Sequence, residues 1–339
     1  MGYSISILNN IRANASTAYQ ERIPQATRDN ISQIGNALQT YEVLYNEFAS
    51  ALVNKIGKTT IESKLFKNRL ARFKSGAILT QQDVEEIFVD MAKGASKYDP
   101  NGSNPLGRRN DDNVKVVYHR MNRQDCYDFT IGDIDFVRVF RSEETLDTFI
   151  SAKINSVYSR ASHDEWILMK ELLATYKNVE GTASGYFDYE VPEITEANTA
   201  EASKTFVKTL RKANLDMSFA STQYNASGVW QWNEAKDLIL LVNKDVLAEV
   251  DVEVLAKAFN MGKTDIENQI IAMDDFGSLT DTYALLVDKD FFKVFDTLST
   301  MRTQPNAQGL FTNYFYHVHQ TLSLSPFKNA VRFKKVANA

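Results

Sequence analysis

Two kinds of apolar spacing follow one another irregularly along this chain, and their order constrains its fold more than any single motif. Helical three-and-four spacing occurs over Thr27–Leu52 and again on either side of residue 160. Strand-like runs lie at Val114–Tyr118, Ile134–Phe140, Leu238–Val242 and Tyr283–Val287. Because helices and strands do not alternate one by one, the pattern predicts an α+β fold with mixed strands rather than a sheet of βαβ units.

Capping residues and spacing predict several helix boundaries. Ser142 is expected to open a helix, and the serine and glutamate of Ser162-His-Asp-Glu165 have capping-box spacing. Two consecutive helices or one kinked helix would therefore occupy this region. Further helices are predicted at Ala202–Ala213, after Asp251 and around Phe291, Phe292 and Phe295, followed by a strand-rich tail at Leu310–Phe333.

Two segments are expected to serve contacts outside a simple core. The amphipathic stripe of Thr27–Leu52 has no covering element close in sequence, so it is expected to dock on another part of its own fold or on another chain. Residues Lys97–Asp112 hold two prolines and two glycines among polar residues. That composition predicts an exposed loop tip between long strands.

Charge is sorted sharply between Val53 and Asp90. A basic run stands against the single acid Glu62 and consists of Lys55, Lys58, Lys64, Lys67, Arg69, Arg72 and Lys74. The sign then reverses at Asp83, Glu85, Glu86 and Asp90. Because the whole chain has a formal net charge of only −5, the sorting is local. It is typical of a subunit that meets a polyanion on one side and copies of itself on another.

Two interpretations of the basic run are open. A run of charge is most often a solvated helix face. This run, however, is nearly unpaired by acids and is interleaved with Leu65, Phe66, Leu70 and Phe73, and clustered lysine and arginine attract phosphate without reading sequence. It would face nucleic acid or the acids of an adjacent chain, at Asp83–Asp90 or in the acidic stretch Glu180–Glu201.

Motifs for catalysis or cofactor binding are absent from the sequence. Neither Gly262-Lys263-Thr264 nor Gly57-Lys58-Thr59 has the first glycine of a phosphate-binding loop. His317 and His319 would share one face of a strand, but two ligands do not complete a zinc site, so packing is the favoured interpretation. Cys126, with His119 near it in sequence, is interpreted as a buried, inert thiol. His119 follows a predicted strand among arginines and is expected to lie at the surface. No catalytic residue, metal or cofactor is expected.

The composition predicts a globular protein outside the membrane. Hydrophobic residues make up 44% and charged residues 24% of the chain, which is ordinary for globular proteins. The longest apolar run, Leu238–Val242, is too short to cross a bilayer. No export signal is visible at the start, and a single cysteine excludes an internal disulfide. We therefore expect a soluble protein made in a reducing cytoplasm.

Short segments from about Val53 to the end resemble, in the same order, the major capsid proteins of small short-tailed phages. The segments are Asn68-Arg-Leu-Ala-Arg-Phe-Lys-Ser-Gly76, Val84-Glu-Glu-Ile-Phe-Val89, Tyr118-His-Arg-Met-Asn-Arg-Gln124, Asn155-Ser-Val-Tyr-Ser159, Leu240-Leu-Val-Asn243, Leu255-Ala-Lys-Ala-Phe-Asn260 and Ser325-Pro-Phe-Lys-Asn-Ala330. The resemblance implies the Hong Kong-type phage capsid fold, also called the Johnson fold.

That fold implies a division of the chain into five parts. They are an N-terminal arm at 1–57, a protruding hairpin (the E-loop) with its approach strands at 58–122, a peripheral domain with a spine helix at 123–180, an axial domain at 181–285, and a return to the peripheral domain at 286–339. Arg108 and Arg109 would make contacts from the tip of the E-loop.

The resemblance also implies the function. Pentamers and hexamers of identical copies would close into an icosahedral shell around double-stranded DNA, with a scaffolding protein and a portal, in the cytoplasm of a bacterial host. One alternative is an encapsulin-like compartment that shares the fold and encloses cargo enzymes. Alternatives from other classes are a metal-dependent enzyme built on His317 and His319, and a monomeric DNA-binding protein.

Overall fold

The computed structural model describes most of the chain. Its described residues are 3–41, 43–45, 47–48, 51, 66–79, 82–92, 94–95, 97–98, 100–101, 113–132, 143–178, 180–194, 198–250 and 269–336. The helices are α1 (Tyr3–Asn14), α2 (Thr17–Arg22), α3 (Ile31–Thr40), α4 (Glu143–Ala174), α5 (Thr199–Ser218) and α6 (Lys244–Glu249). None of the described helices is both long and apolar enough to cross a bilayer.

Eleven strands form three sheets within the described residues. They are β1 (Lys74–Ala77), β2 (Val84–Val89), β3 (Val114–His119), β4 (Arg123–Gly132), β5 (Phe187–Pro192), β6 (Leu238–Asn243), β7 (Ile270–Met273), β8 (Thr282–Asp288), β9 (Phe292–Asn306), β10 (Phe311–Leu324) and β11 (Ala330–Val336). The strand orders are β1-β9-β10-β4, β5-β11-β8-β6-β7 and β2-β3. This mixture confirms the α+β prediction.

The chain divides into two compact units. The first comprises Met1–Asn68, Asn122–Trp166 and Asp296–Gln320. The second comprises Arg69–Met121, Ile167–Phe295 and Thr321–Ala339. The five-part division implied by the resemblance stays a prediction.

In the first unit, the N-terminal helices are packed on strands of the same unit. Ile31, Ile34 and Leu38 of α3 are buried in one apolar cluster with Ile131 of β4 and Tyr314 of β10. The apolar stripe therefore docks on its own fold, which was one of the two predicted alternatives.

The apolar stripe continues beyond α3: residues 43–45, 47–48 and 51 are also helical, and Leu44, Tyr45 and Phe48 are buried in the same cluster. The helix α3 itself is shorter than the stripe. It ends at Thr40, and the stripe residue Tyr41 is exposed, with the guanidinium of Arg22 over its ring at 4.5 Å.

A single helix of 32 residues, α4, occupies the region where two helices or a kinked one were predicted. No glycine or proline interrupts it, so nothing in the sequence forces a break. Ser162 lies inside this helix and caps nothing. Glu165 instead accepts hydrogen bonds from Asn68 Nδ2 at 2.7 Å and Gln320 Nε2 at 2.6 Å.

In the second unit, the five-stranded sheet is covered by α5. The pairs β11–β5 and β6–β7 are parallel, whereas β8 pairs antiparallel with β11 and with β6. Strands β6 and β8 are largely buried, as their continuous apolar runs predicted. Helix α5 extends beyond its predicted limits at both ends, and its Phe206 and Leu210 pack in the cluster that contains Phe333 of β11.

The helix predicted around Phe291, Phe292 and Phe295 is wrong. The chain forms the long strand β9 there, in which buried Phe292 and Val294 alternate with partly exposed neighbours. Burial therefore alternates with a period of two residues, as in a strand, rather than 3.6. The adjacent Phe291 and Phe292 obscured this alternation in the sequence, because two consecutive aromatic residues do not alternate with polar ones. The strand-rich tail is confirmed by β10 and β11, whereas the predicted strand Ile134–Phe140 and the helix after Asp251 lie outside the described residues.

Candidate assembly interface

Strands β2 and β3 form an antiparallel hairpin in the second unit. The register runs from Val84 opposite His119 to Val89 opposite Val114. The hairpin therefore flanks the predicted loop tip, of which residues 102–112, including Arg108 and Arg109, lie outside the described residues. Since successive side chains point to opposite faces of a strand, the hairpin has two distinct faces.

The outer face of the hairpin is apolar and uncovered. Its apolar members are between 42% and 69% exposed and are Ile87, Val89, Val114, Val116 and Tyr118. Burying one such side chain fully stabilises a protein by about 1.5–3 kcal/mol. A contiguous apolar face of this kind marks an interaction surface.

The inner face is fixed to its own unit by a polar group that we call the root cluster: Glu86, His119, Lys293, Ser323 and Ser325. The imidazole of His119 is buried, with Nδ1 2.7 Å from Ser323 Oγ and Nε2 3.0 Å from Glu86 Oε2. Glu86 Oε1 accepts a hydrogen bond from Ser325 Oγ at 2.9 Å and lies 3.2 Å from Lys293 Nζ.

The root cluster keeps Glu86 ionised. Burial by itself raises the pKa of Glu86, but hydrogen bonds from His119 and Ser325 and the charge of Lys293 outweigh it and lower that pKa. Beside the cluster, the ring of Phe88 stacks on Phe327 with centroids 5.5 Å apart. Charge pairing and apolar packing together hold one face of the hairpin inward, so that the apolar face must point outward.

The four acids of Asp83–Asp90 do not form one surface. Glu85 lies on the outer face and accepts a hydrogen bond from the Tyr118 hydroxyl at 3.0 Å, whereas Glu86 points inward. Asp83 pairs with exposed Arg120 at 3.1 Å. Asp90 Oδ1 accepts from the backbone N–H of Trp230 at 3.1 Å. The role of these acids in subunit contacts stays a prediction.

The described part of the basic run surrounds a short 3₁₀ helix, Arg69–Phe73. Leu70 and Phe73 of that helix are buried, whereas Lys67, Arg69 and Arg72 are exposed and Lys74 is half-buried on β1. Arg69 Nη1 donates to the carbonyl oxygen of Ala272 at 3.0 Å. Leu70 and Phe73 thus lie inside and the cationic residues outside, whereas the interleaved Phe66 is exposed. Lys55, Lys58 and Lys64 lie outside the described residues.

Two acids of the stretch Glu180–Glu201 are paired within their own chain. Asp188 is bound by Arg332, and Glu193 Oε1 lies 2.5 Å from Lys335 Nζ. Their charges are therefore largely neutralised before any neighbour arrives.

The predicted histidine pair lies on β10 without a third ligand. His317 is opposite Cys126 of β4, with Nε2 3.8 Å from Sγ, and His319 is opposite Gln124. Throughout the described ranges, no group of three His, Cys, Asp or Glu residues could hold a metal ion.

Two predictions about single side chains are wrong. Cys126 is exposed rather than buried, because the alternation of β4 turns it away from the core. Partial desolvation and the charge of Asp128 raise the pKa of its thiol, which keeps it protonated. His119, expected at the surface, belongs to the buried root cluster instead.

Sequence reasoning also missed a buried polar cluster in the first unit. Arg123 is buried and donates to Asp125 Oδ2 at 2.6 Å, Gln320 Oε1 at 2.5 Å and the Tyr127 hydroxyl at 2.8 Å. It also donates to the carbonyl oxygen of Ala161 on α4 at 3.1 Å. The segments that carry the family resemblance were the available signal for both clusters. Tyr118–Gln124 contains Arg123 and His119, Val84–Val89 contains Glu86, and Ser325–Ala330 contains Ser325.

Comparisons with known proteins agree on one family. The family model described as Phi29-like phage major capsid protein matches residues 8–334. The major capsid protein of Bacillus phage B103 is 36% identical over 333 residues, which cover 97% of this chain and 72% of that protein. The major capsid protein of Streptococcus phage Cp-1 is 29% identical over 344 residues, which cover 96% of this chain and 93% of that protein.

Solved capsid structures share the fold. The capsid structure of Staphylococcus phage Andhra aligns with a TM-score of 0.64 at 13% identity, covering 82% of this chain and 86% of that chain. The capsid structure of Cyanophage P-SCSP1u aligns with a TM-score of 0.51 at 11% identity, covering 82% and 91%. The Hong Kong-type phage capsid fold expected from the resemblance is confirmed.

Proposed function

The chain belongs to the Phi29-like phage major capsid protein family, and we propose that its copies assemble through the β2–β3 hairpin into an icosahedral head that encloses double-stranded DNA. In this proposal, pentamers and hexamers form the shell in the cytoplasm of the bacterial host, with a scaffolding protein and a portal. The chain acts as a structural component of the virion and not as an enzyme.

The observation that carries the proposal is the uncovered apolar face of the hairpin. The root cluster prevents this face from turning inward, so its five side chains are available to a second copy. The face meets a different surface of the neighbour, which is the heterologous contact that closes subunits into rings.

Modest contacts suffice for such an assembly. Each subunit touches several others, so when one contact breaks the remaining contacts still hold the subunit in place. The broken contact then re-forms at a high effective concentration.

The exposed cationic side chains of Lys67, Arg69 and Arg72 are consistent with a negatively charged partner, which is either the enclosed DNA or acidic residues of an adjacent chain.

The encapsulin-like alternative is not favoured, because the matched family and the curated relatives are phage major capsid proteins. A metal-dependent enzyme has no support from the histidine pair, since no metal-holding group is found among the residues that the structure describes.

The proposal is tested by placing charge on the outer face of the hairpin. We expect the Ile87→Lys, Val116→Lys double variant to fold but to form no shells, because apposed subunits would have to bury two lysines. Sedimentation velocity and negative-stain microscopy of the protein, produced with its scaffold, measure assembly.

The matched control replaces two exposed apolar residues outside the hairpin, Val43→Lys and Leu310→Lys. This control is expected to form shells. Normal shells from the hairpin variant would contradict the proposal.

A further inference from the structure

Helix α5 of the second unit carries a continuous basic face that neither the sequence motifs nor the family assigns. Its exposed bases are Lys204, Lys208, Arg211 and Lys212. We propose that this face binds the phosphate backbone of double-stranded DNA. The inference rests on the proposed function, in which the shell encloses such DNA.

Packing fixes which face of α5 is outward. Phe206, Leu210 and Met217 are fully buried against the five-stranded sheet. At 3.6 residues per turn, that leaves positions 204, 208, 211 and 212 on the opposite side. These cationic residues span nine positions, 204–212, or about 12 Å of helix axis.

The cations on α5 are not neutralised within the described part of the chain. No ion pair joins Lys204, Lys208 or Arg211 to a described carboxylate, and Lys212 lies 6.0 Å from the centre of the Tyr189 ring. Other surface lysines of the same unit are paired: Lys236 with Glu234 at 2.6 Å, Lys289 with Asp237 at 2.8 Å, and Lys335 with Glu193 at 2.5 Å. What distinguishes α5 is that its four exposed cations lie on one face of a single helix, whereas other exposed lysines of the unit, such as Lys177 and Lys244, stand singly.

The acids on α5 do not cancel this charge. Glu201 is exposed and lies in the first turn, where the helix dipole favours a negative charge. Asp216 Oδ2 accepts a hydrogen bond from the Tyr189 hydroxyl at 2.7 Å. Four cations against these two acids leave α5 with a net positive charge.

Charge complementarity favours phosphate over a second copy of this chain. Asp188 and Glu193 of the acidic stretch are already bound by Arg332 and Lys335. The exposed Glu180 and Glu190 remain, but they lie ten positions apart and offer two single charges to a face with four cations. The phosphates of duplex DNA hold a condensed layer of counterions, and protein cations that bind the phosphates release those counterions without any base-specific contact. The ligand that fits the α5 face is thus the DNA backbone.

The test compares salt dependence in two variants of equal net charge. The α5 variant is Lys204→Gln, Lys208→Gln, Arg211→Gln, and the control is Lys236→Gln, Lys289→Gln, Lys335→Gln. The binding constant of the full-length protein for a short duplex is measured against salt concentration by fluorescence anisotropy. We expect the slope of log K against log salt to become shallower by about three in the α5 variant and to stay unchanged in the control.

Three results would overturn the inference. The first is an unchanged slope in the α5 variant, and the second is an equal change of slope in the α5 variant and the control. The third is that the α5 variant forms no shells while its slope for free duplex stays unchanged, which would assign α5 to protein contacts. The Lys204→Arg, Lys208→Arg variant, which keeps the charge, is expected to keep the wild-type slope, and a loss there would also count against phosphate binding. Shell formation by the wild-type protein, measured separately, tests the proposed function.

Discussion

At the scale of single residues, Glu86 fixes the inner face of the hairpin to its own unit. Its two oxygens bind partners from three parts of the second unit: His119 on β3, Lys293 on β9 and Ser325 after β10. Two of these partners lie more than 200 positions away in sequence, so no local spacing could have predicted the cluster. The sequence shows the four acids of Asp83–Asp90, but it does not show that Glu86 is the one whose side chain points inward.

Acid is expected to loosen the hairpin through Glu86. Because the folded state lowers the pKa of this carboxyl below its ordinary value of about 4.3, its stabilising contribution is complete above that ordinary value and is lost as the pH falls through the lowered pKa. Hydrogen exchange of the β2 and β3 amides should therefore accelerate in acid in the wild-type protein. The Glu86→Gln variant should lose this pH dependence.

The Glu86→Gln variant should also lower the free energy of unfolding at neutral pH by about 1–3 kcal/mol, since Lys293 loses its charged partner. Glu85→Gln, on the exposed face, is the matched control and should change it by less than about 0.5 kcal/mol. Equal effects in urea unfolding would show that the root cluster does not hold the hairpin.

At the scale of elements, predictions succeeded where one periodicity applied along the whole segment. The continuous apolar runs of β6 and β8 were recognised because strands buried on both faces need no polar alternation. The start of β9 failed because adjacent phenylalanines imitate a helical face, and pairing with distant strands decided the outcome. The capping box at Ser162 failed because uninterrupted helix formers propagate more easily than a helix restarts.

The candidate site was predicted only in part for the same reason. Strand β3 was recognised from strand texture and the hairpin was implied by the resemblance, whereas the exposure of its outer face depends on which side of the hairpin packs on the rest of its unit. The α5 bases were overlooked because they are spread over nine positions of a helix instead of forming a run.

We expect Arg123 to contribute more to the free energy of unfolding than the exposed Arg120, because its buried hydrogen bonds join β4 to β10. Arg123→Ala would leave Gln320 and Asp125 without a buried donor and should lower the free energy of unfolding by about 3–5 kcal/mol. Arg120→Ala breaks only the exposed pair with Asp83 and should cost at most about 1 kcal/mol. Chemical unfolding of both variants measures the difference, and similar losses would show that the Arg123 cluster adds nothing beyond a surface pair.

At the scale of the whole molecule, the family relation and the structure describe a subunit whose contacts continue beyond one chain. The apolar hairpin face, the bases of 67–72 and the basic face of α5 are all exposed in the isolated chain. The relative from Bacillus phage B103 is longer, since the aligned region covers 72% of it.

One experiment distinguishes the two interpretations of the basic run, in which it faces either the packaged genome or an adjacent chain. If it faces the genome, replacing Lys64, Lys67, Arg69 and Arg72 by Gln should leave empty shells intact while DNA-filled heads release their DNA at lower temperature, because fewer cations would offset phosphate repulsion. A dye-release melting assay on filled heads measures this, with Lys236→Gln, Lys289→Gln as the control. Failure to form shells would instead assign the run to contacts between subunits.

The two faces of the hairpin also differ in how they tolerate genetic change. A substitution on the inner face disturbs each molecule once and can be compensated by another residue of the same body. On the outer face, a single altered codon is repeated at every junction of a homomeric lattice, so a small weakening is multiplied by the copy number. Substitutions should therefore accumulate more slowly on the outer face of the hairpin, unless the surface of the neighbouring subunit that contacts this face changes together with it.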